Sequence, residues 1–266
     1  MTVKRMITTG VSLLGLLAPV STSAVVALLA LLVPVSASAD ITVLCSNGLK
    51  AVMDDLAPQY EKASKEKVTV KYDLAANLKR RIEAGEAFDV AILTPAVTDD
   101  LIKQGKLAAA SKTTIARSNL AVAIKAGSKK TDVSTTDGFK RVLLGAKAVA
   151  FAREGASGVG FMEAMKKLGI ADQVKQMPTA SGEAVGEAVL KGTADLGILP
   201  VSEILPIKGA EVLGEFPGDV ASYIVMVGGV NASSKQSKAS KGLIDFLMAP
   251  AAMSVVKAKG MERVAK

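Results

Sequence analysis

Histidine and tryptophan are both absent from the 266 residues, and aromatic residues make up only 3% of the chain. Without histidine there can be no Ser-His-Asp triad and no Cys-His pair, and the usual zinc sites are excluded. Scarce aromatic rings leave little surface on which bases or sugars could stack. These absences argue against a triad hydrolase and against a nucleic-acid or polysaccharide partner.

Cysteine occurs once, at Cys45. A lone cysteine excludes an internal disulfide, and we expect this thiol to be buried as a small hydrophobic group. No cluster of metal ligands stands out in the sequence, so we predict neither a metal site nor a cofactor. Half of the residues are hydrophobic, which predicts a folded chain, and the net charge of +8 suits an anionic small solute.

The N-terminus reads as an export signal. Lys4 and Arg5 form a positive start, an apolar run covers residues 24–35, and Ala37-Ser38-Ala39 fits the small-x-small cleavage rule. We therefore predict a signal peptide over residues 1–39 and a periplasmic mature chain from Asp40. A cut after Ala24 and an uncleaved anchor are the alternatives, since the apolar region from about Val11 is long enough to span a bilayer.

Beyond Asp40, strand and helix patterns alternate along the chain. This succession is typical of a mostly parallel sheet covered by helices, and its restart after Lys125 predicts a second lobe of similar construction. Predicted strands cover 41–44, 68–72, 88–93, 118–124, 146–151, 195–199 and 221–227, and predicted helices cover 49–63, 75–84, 95–104, 134–144, 157–168, 183–191, 235–247 and 251–259.

Candidate binding residues lie in the loops that follow predicted strands. In open α/β sheets, ligands gather at the carboxyl ends of strands, where helix N-termini point N–H groups outward. This rule selects six loops, at 45–48, 73–77, 93–95, 153–158, 179–182 and 200–203.

Two of these loops, "AREGASGVGF" and "TASGEAV", combine serine and glycine directly before a helix. In the first, Ser157 and Gly158 offer a hydroxyl and free N–H groups beside Arg153, which favours anion binding. In the second, Ser181 and Gly182 have the same character. Ordinary helix capping by the two serines is the alternative for both loops.

The sequence resembles the periplasmic molybdate-binding-protein-like family, the solute-binding components of ABC importers. The resemblance rests on the stretches "ITVLCSNGLKAVMDDLAPQYEK", "NLKRRIEAGEAFDVAILTP", "SNLAVAIKAG", "AREGASGVGFMEAMKKLGI" and "KGTADLGILPVSEI", which occur in the family's order over nearly all of residues 40–266.

The resemblance implies a two-lobed α/β protein with the type II periplasmic binding fold, in which a two-strand hinge joins the lobes. Lobe 1 would combine residues 40–120 with 225–266, and lobe 2 would cover 121–224. A small anion would close the cleft by stabilising the closed state, and the closed form would dock on a membrane permease. We expect a monomeric binding protein without enzymatic activity.

The resemblance also places ligand-binding positions. The serines and the tyrosine that hold molybdate in this family fall at Gly48, Ala75 and Pro200, and its backbone donors fall at Ser157 and Gly182. Each missing charge-assisted hydrogen bond removes roughly 1.5–3 kcal/mol, so we expect a different, larger or organic anion. The side chains that could partly compensate are Ser46, Asn47, Asn77 and Thr94.

Two other functions stay open at this point. An exported binding protein could present its solute to a sensor instead of a permease. A periplasmic hydrolase or isomerase could use Ser46 or Ser157 with Lys50 as the base, although no pattern in the sequence establishes that geometry.

Overall fold

The computed structural model describes residues 40–264, so the predicted signal peptide and its cleavage site lie outside the described residues. Within this range the strands are β1 (Asp40–Ser46), β2 (Lys67–Asp73), β3 (Val90–Leu93), β4 (Thr113–Lys125), β5 (Val149–Ala152), β6 (Gln176–Thr179), β7 (Leu196–Pro200), β8 (Ala210–Glu215) and β9 (Tyr223–Val230). The helices are α1 (Lys50–Ser64), α2 (Ala75–Glu83), α3 (Pro95–Lys103), α4 (Thr136–Gly145), α5 (Ala156–Leu168), α6 (Gly182–Lys191), α7 (Val201–Ile204), α8 (Ser237–Met248) and α9 (Met253–Ala258).

The strands form one curled sheet in the order β2-β1-β3-β9-β4-β7-β5-β6, with β8 also paired to β4. Strand β1 pairs in parallel with β2 and β3, and β5 pairs in parallel with β6 and β7. Two groups of parallel strands therefore point their carboxyl ends, and the helices that follow them, toward a common region.

Strand β4 joins the two groups because it changes partners along its length. Its first half, as far as Asn119, pairs with β9. From Leu120 onward it pairs with β7, and from Ala121 with β8. The change of partners coincides with the predicted end of the first part of lobe 1. The lobe bounds themselves stay a prediction.

Local sequence explains where helix α3 begins and ends. Pro95 occupies the first helical position, where a missing N–H costs nothing and the fixed φ suits the helix. Gly105, two residues beyond the last helical residue, has a φ of +69°, a value that glycine adopts without strain. The predicted start and end of this helix agree with the structure.

Three parts of the sheet differ from the prediction. Strands β6 and β8 were not predicted, since both are short and no residue in either is fully buried, so they lack an apolar run. Strand β4 begins at Thr113, five residues before the predicted start at Ser118. Its early residues place the buried pair Ile115 and Ala116 between two threonines and Arg117, so they form neither an apolar run nor a regular alternation.

The core follows the sheet. The largest cluster of buried side chains packs α1, α5 and α8 against both groups of strands, and it includes Phe139, Phe151, Phe161 and Phe216. Neighbouring rings among these four lie 4.7–6.5 Å apart between centroids, the range of favourable aromatic pairs.

Among residues 40–264 no single helix meets the criteria for a membrane span, and only α8 with residues Pro250–Ala258, bent by 56°, meets them as a pair.

Candidate functional site

A small cavity of about 30 Å³ lies where the carboxyl ends of β1, β5 and β7 meet, and we call it the small cavity. It collects residues from six separate stretches of the chain. The predicted binding residues that line it are Ser46, Asn47, Gly48, Ala75, Ser157, Gly182 and Pro200.

Three helices of nine or more residues begin at this cavity. Helix α2 begins at Ala75, α5 at Ala156 and α6 at Gly182. The residues before α2 and α5, Leu74 and Gly155, make no capping hydrogen bond with a side chain. The first N–H groups of these helices and their positive dipole ends therefore converge on a single small space, which favours a negative charge there.

Two serine hydroxyls supplement these N–H groups. Ser46 and Ser157 are each 7% exposed, and among residues 40–264 neither hydroxyl has a hydrogen-bond partner. A buried hydroxyl without a partner within the protein is free to bind a ligand oxygen.

A third serine, Ser202, positions the Gly48 loop. Its Oγ donates to the carbonyl oxygen of Gly48 over 3.1 Å, and its backbone N–H donates to Ser118 Oγ over 3.1 Å. Ser118 Oγ in turn donates to the carbonyl oxygen of Gly260 over 2.9 Å. These bonds connect the turn after β1 to β4 and to the start of α7, so both sides of the cavity are held in one network.

Five of the predicted residues lie outside the small cavity. Asn77 and Arg153 line a neighbouring surface cavity, where Asn77 Nδ2 donates to Asp73 Oδ1 over 2.7 Å. Thr94 precedes α3, and Gly158 packs within the first turn of α5. Ser181 accepts a hydrogen bond from the backbone N–H of Ala184 over 3.3 Å, as an N-cap does. Ligand binding by all twelve residues stays a prediction.

A second cavity of about 360 Å³ adjoins the first, and we call it the large cavity. The two share Asn47, Gly182 and Glu203 among their lining residues. In the large cavity, Lys50 pairs with Asp54 at 2.6 Å, and Lys259 pairs with Asp55 at 2.9 Å. Two further charged residues, Glu183 and Glu203, also line this cavity.

Glu203 is the group that the sequence did not single out, although it lies in the sixth candidate loop. Its carboxyl group packs against the bare Cα of Gly182, since a β-carbon there would lie 2.5 Å from Glu203 Oε2. Among the described residues it has no hydrogen bond and no salt bridge. The residue is partly buried, and this desolvation, followed by the negative charge of Glu183, raises the pKa of Glu203 to about 7. A single carboxyl group in the otherwise apolar stretch that runs from the end of β7, "LPVSEILP", was the available signal.

Cys45 is buried as predicted and lines neither cavity. Its Sγ contacts the carbonyl oxygen of Ser46 at 3.4 Å. Burial raises the pKa of this thiol well above its usual value, which disfavours the reactive thiolate. Within residues 40–264 no group of three or more acidic or cysteine side chains could hold a metal ion.

Comparison with known proteins places the chain beside binding proteins for small solutes. Residues 41–262 match the profile of the bacterial extracellular solute-binding protein family. An aconitate isomerase from Pseudomonas sp is 28% identical, over 84% of this chain and 88% of that protein. The molybdate-binding protein ModA of Escherichia coli K12 is 29% identical, over 83% of this chain and 88% of that protein.

Solved structures show the same fold. The periplasmic molybdate-binding protein of Azotobacter vinelandii superposes with a TM-score of 0.72 at 18% sequence identity, over 85% of this chain and all of that one. The substrate-binding domain of a putative molybdenum ABC transporter from Clostridium difficile gives a TM-score of 0.69 at 21% identity, over 86% of this chain and all of that one. The two-lobed type II periplasmic binding fold predicted from the sequence is confirmed.

Proposed function

The chain belongs to the bacterial extracellular solute-binding protein family, of the molybdate and oxyanion importer type, and from this membership we propose that it captures a small anion in the periplasm. Capture would occur in the cleft between the lobes, and the closed protein would deliver the solute to the permease of an ABC importer. The protein would act as a monomer, by binding and release.

One observation carries this proposal: three helix N-termini and two unpartnered serine hydroxyls converge on the small cavity. Positive helix ends and N–H donors stabilise an anion without a bound cation. Because Ser46 and Gly48 belong to the predicted lobe 1 and Ser157 and Gly182 to the predicted lobe 2, an anion that contacts all four would stabilise the closed arrangement.

The anion that we propose is a small organic acid instead of molybdate. Gly48, Ala75 and Pro200 offer no side-chain donor to the small cavity, which leaves backbone N–H groups, two serine hydroxyls and the Asn47 amide. The adjoining large cavity gives room for a carbon skeleton beyond the first carboxylate. The relative named aconitate isomerase is consistent with a carboxylic acid as ligand.

Thermal-shift screening of residues 40–266 against molybdate, sulfate, aconitate and other di- and tricarboxylates tests the proposal. We expect a carboxylate to raise the melting temperature at millimolar concentration, because a ligand that binds only the folded state stabilises it. Absence of a shift with every anion would contradict solute capture.

Two variants then locate the site by calorimetric titration of the anion that binds. Ser46→Ala and Ser157→Ala each remove one hydrogen bond to a charged ligand, so we expect Kd to rise about 10- to 100-fold in each, equivalent to roughly 1.5–3 kcal/mol. Ser254→Ala removes an exposed hydroxyl outside both cavities and serves as the matched control. Equal affinity in all three variants would place the anion elsewhere.

A second candidate function is isomerisation of an unsaturated carboxylic acid, and Glu203 is the observation that favours it. A carboxyl group whose pKa is about 7 can both accept and return a proton near neutral pH. The carboxylate of Glu203 would take a proton from one carbon of the acid and return it to another carbon of the same molecule. No other reactant is needed for this transfer.

Proton NMR of aconitate incubated with the protein decides between the two functions. Binding without conversion supports pure solute capture. Conversion between the cis and trans isomers that disappears in Glu203→Gln would establish the isomerase, while conversion that persists in this variant would assign the proton transfer to another group.

A further inference from the structure

Glu203 presents a physical conflict with anion binding in the cleft. Its carboxyl group lines the same small cavity on which the N-termini of α2, α5 and α6 converge. Two negative oxygens at hydrogen-bonding distance repel each other strongly where little water separates them. An ionised Glu203 and a fully ionised ligand oxygen cannot both occupy this space at low cost.

We propose that Glu203 contacts the captured anion directly, through one proton that lies between its carboxyl group and an oxygen of the anion. This inference rests on the proposed capture of an anion in the small cavity. When the anion is fully ionised, Glu203 carries the proton and donates it. A carboxylic acid O–H is a strong donor to an anionic oxygen.

The side chains around Glu203 favour the protonated form and oppose the effect of the helix N-termini. No donor among residues 40–264 hydrogen-bonds to its carboxyl group, and Oε2 lies against the Cα of Gly182. Ser202, its neighbour in sequence, is committed to Gly48 and Ser118. The charged side chains that face Glu203 across the large cavity are Glu183 from α6, Lys50, Asp54 and Asp55 from α1, and Lys259 after α9.

Those neighbours leave Glu203 without a compensating cation. Lys50 is paired with Asp54 and Lys259 with Asp55, while Glu183 adds a further negative charge. This balance supports the raised pKa of Glu203 and makes the shared proton the way in which Glu203 and an anion coexist.

The affinity for a fully ionised anion must then fall as pH rises. Below the pKa of Glu203, about 7, the protonated form predominates and affinity is constant. Above it, the fraction of molecules with a protonated Glu203, which are the ones able to bind the anion, falls toward tenfold per pH unit. Kd therefore rises about tenfold between pH 6 and pH 8. Anion binding at pH 7 takes up about half a proton.

Isothermal titration of aconitate, molybdate or sulfate, whichever binds, at half-unit steps from pH 5.5 to pH 8.5 measures both effects. Repeating the titration in buffers of different ionisation enthalpy gives the protons taken up. Glu203→Gln keeps an N–H donor and cannot titrate. We expect it to bind within about threefold of the wild type at pH 6 and to lose the tenfold change, so it also reports any titration of the ligand itself.

Glu183→Gln is the matched control. It removes the neighbouring charge that raises the pKa of Glu203, so the pH dependence persists with its midpoint at lower pH. A carbon-13 NMR titration of the free protein should show the Glu203 carboxyl titrating near neutral pH, and this measurement needs no ligand.

The outcomes separate the two proposals. If none of the three anions binds at any pH, solute capture fails and this inference fails with it. Binding of constant affinity from pH 6 to pH 8, or an unchanged pH dependence in Glu203→Gln, overturns only the shared proton. Titration of the free Glu203 carboxyl below pH 5 overturns it as well.

Discussion

Replacing Gly158 by alanine tests whether helix α5 approaches the end of β5 as closely as the structure shows. A β-carbon at this position would lie 2.0 Å from the carbonyl oxygen of Ala152 and 2.9 Å from its carbonyl carbon. Ordinary contact begins at 3.4 Å. Because the obstacle is a backbone carbonyl group, no side-chain rotation can relieve the steric clash in Gly158→Ala. The first turn of α5 must therefore move away.

The magnitude follows from two opposing effects. Forcing a methyl group into a packed site costs about 1–3 kcal/mol, and more when backbone must shift. Alanine regains about 0.5–1 kcal/mol over glycine within a helix. Because backbone must shift, the upper end of this cost applies, and we expect Gly158→Ala to lose about 2 kcal/mol or more of unfolding free energy. Since Ser157 moves with this turn, anion affinity falls too.

Urea denaturation followed by circular dichroism measures the change as a lower midpoint with an unchanged m-value. Gly145→Ala is the matched control, because Gly145 is also helical and a β-carbon there meets no atom within 4 Å. We expect this control to gain about 0.5–1 kcal/mol. Equal midpoints for the two variants would refute the close packing of α5 on Ala152.

Three further predictions follow from the cleft and its neighbours. The β-carbon of Gly48→Ser would lie 3.3 Å from the flexible Met226 Cε, so the variant should fold with a loss of about 1 kcal/mol or less. In a competitive titration it should shift the preference among anions toward molybdate. Unchanged selectivity would make this loop a simple connection. Native Cys45 should resist iodoacetamide at pH 8 and react once urea unfolds the chain, and labelling of the folded protein would contradict its burial. Because its folded pKa of about 7 exceeds the unfolded value of 4.5, Glu203 stabilises the fold at low pH and this contribution is lost as pH rises to 7. Urea titrations should therefore show Glu203→Gln gaining roughly 2 kcal/mol on the wild type between pH 5 and pH 8, and parallel pH profiles would contradict this.

The strands that the sequence predicted well show either an apolar run, as in β3, or a regular alternation, as in β2. Strand β3, "VAIL", is buried at every residue and follows a clear apolar run. Strand β8, "AEVLGE", escaped prediction because each of its residues is partly or fully exposed and, within residues 40–264, its sheet partner is the second half of β4. Its position depends on pairing with residues about 90 positions earlier, which local periodicity cannot reveal.

The candidate site was predictable where it rests on chain geometry. Ser46, Ser157 and Gly182 all follow strand ends, and the rule for open sheets brings them to one cavity. Glu203 could not be assigned a role in this way, because its significance comes from missing partners and from Glu183 across the fold. Asn77 donates a hydrogen bond to Asp73, and both Asn77 and Arg153 line a separate surface cavity. The spacing of residues along the chain does not reveal either placement.

The position of β9 also bears on when the fold can be completed. Residues Tyr223–Val230 lie between β3 and β4 in the sheet and supply the partner for an edge of each. Until ribosomal synthesis has passed residue 230, β3 and the first half of β4 each lack the partner that β9 supplies. The core between them cannot close before then. Such long-range pairing makes folding slow. The export that the leader sequence predicts would benefit from this order, because the N-terminal strands would stay incompletely paired until β9 had been made.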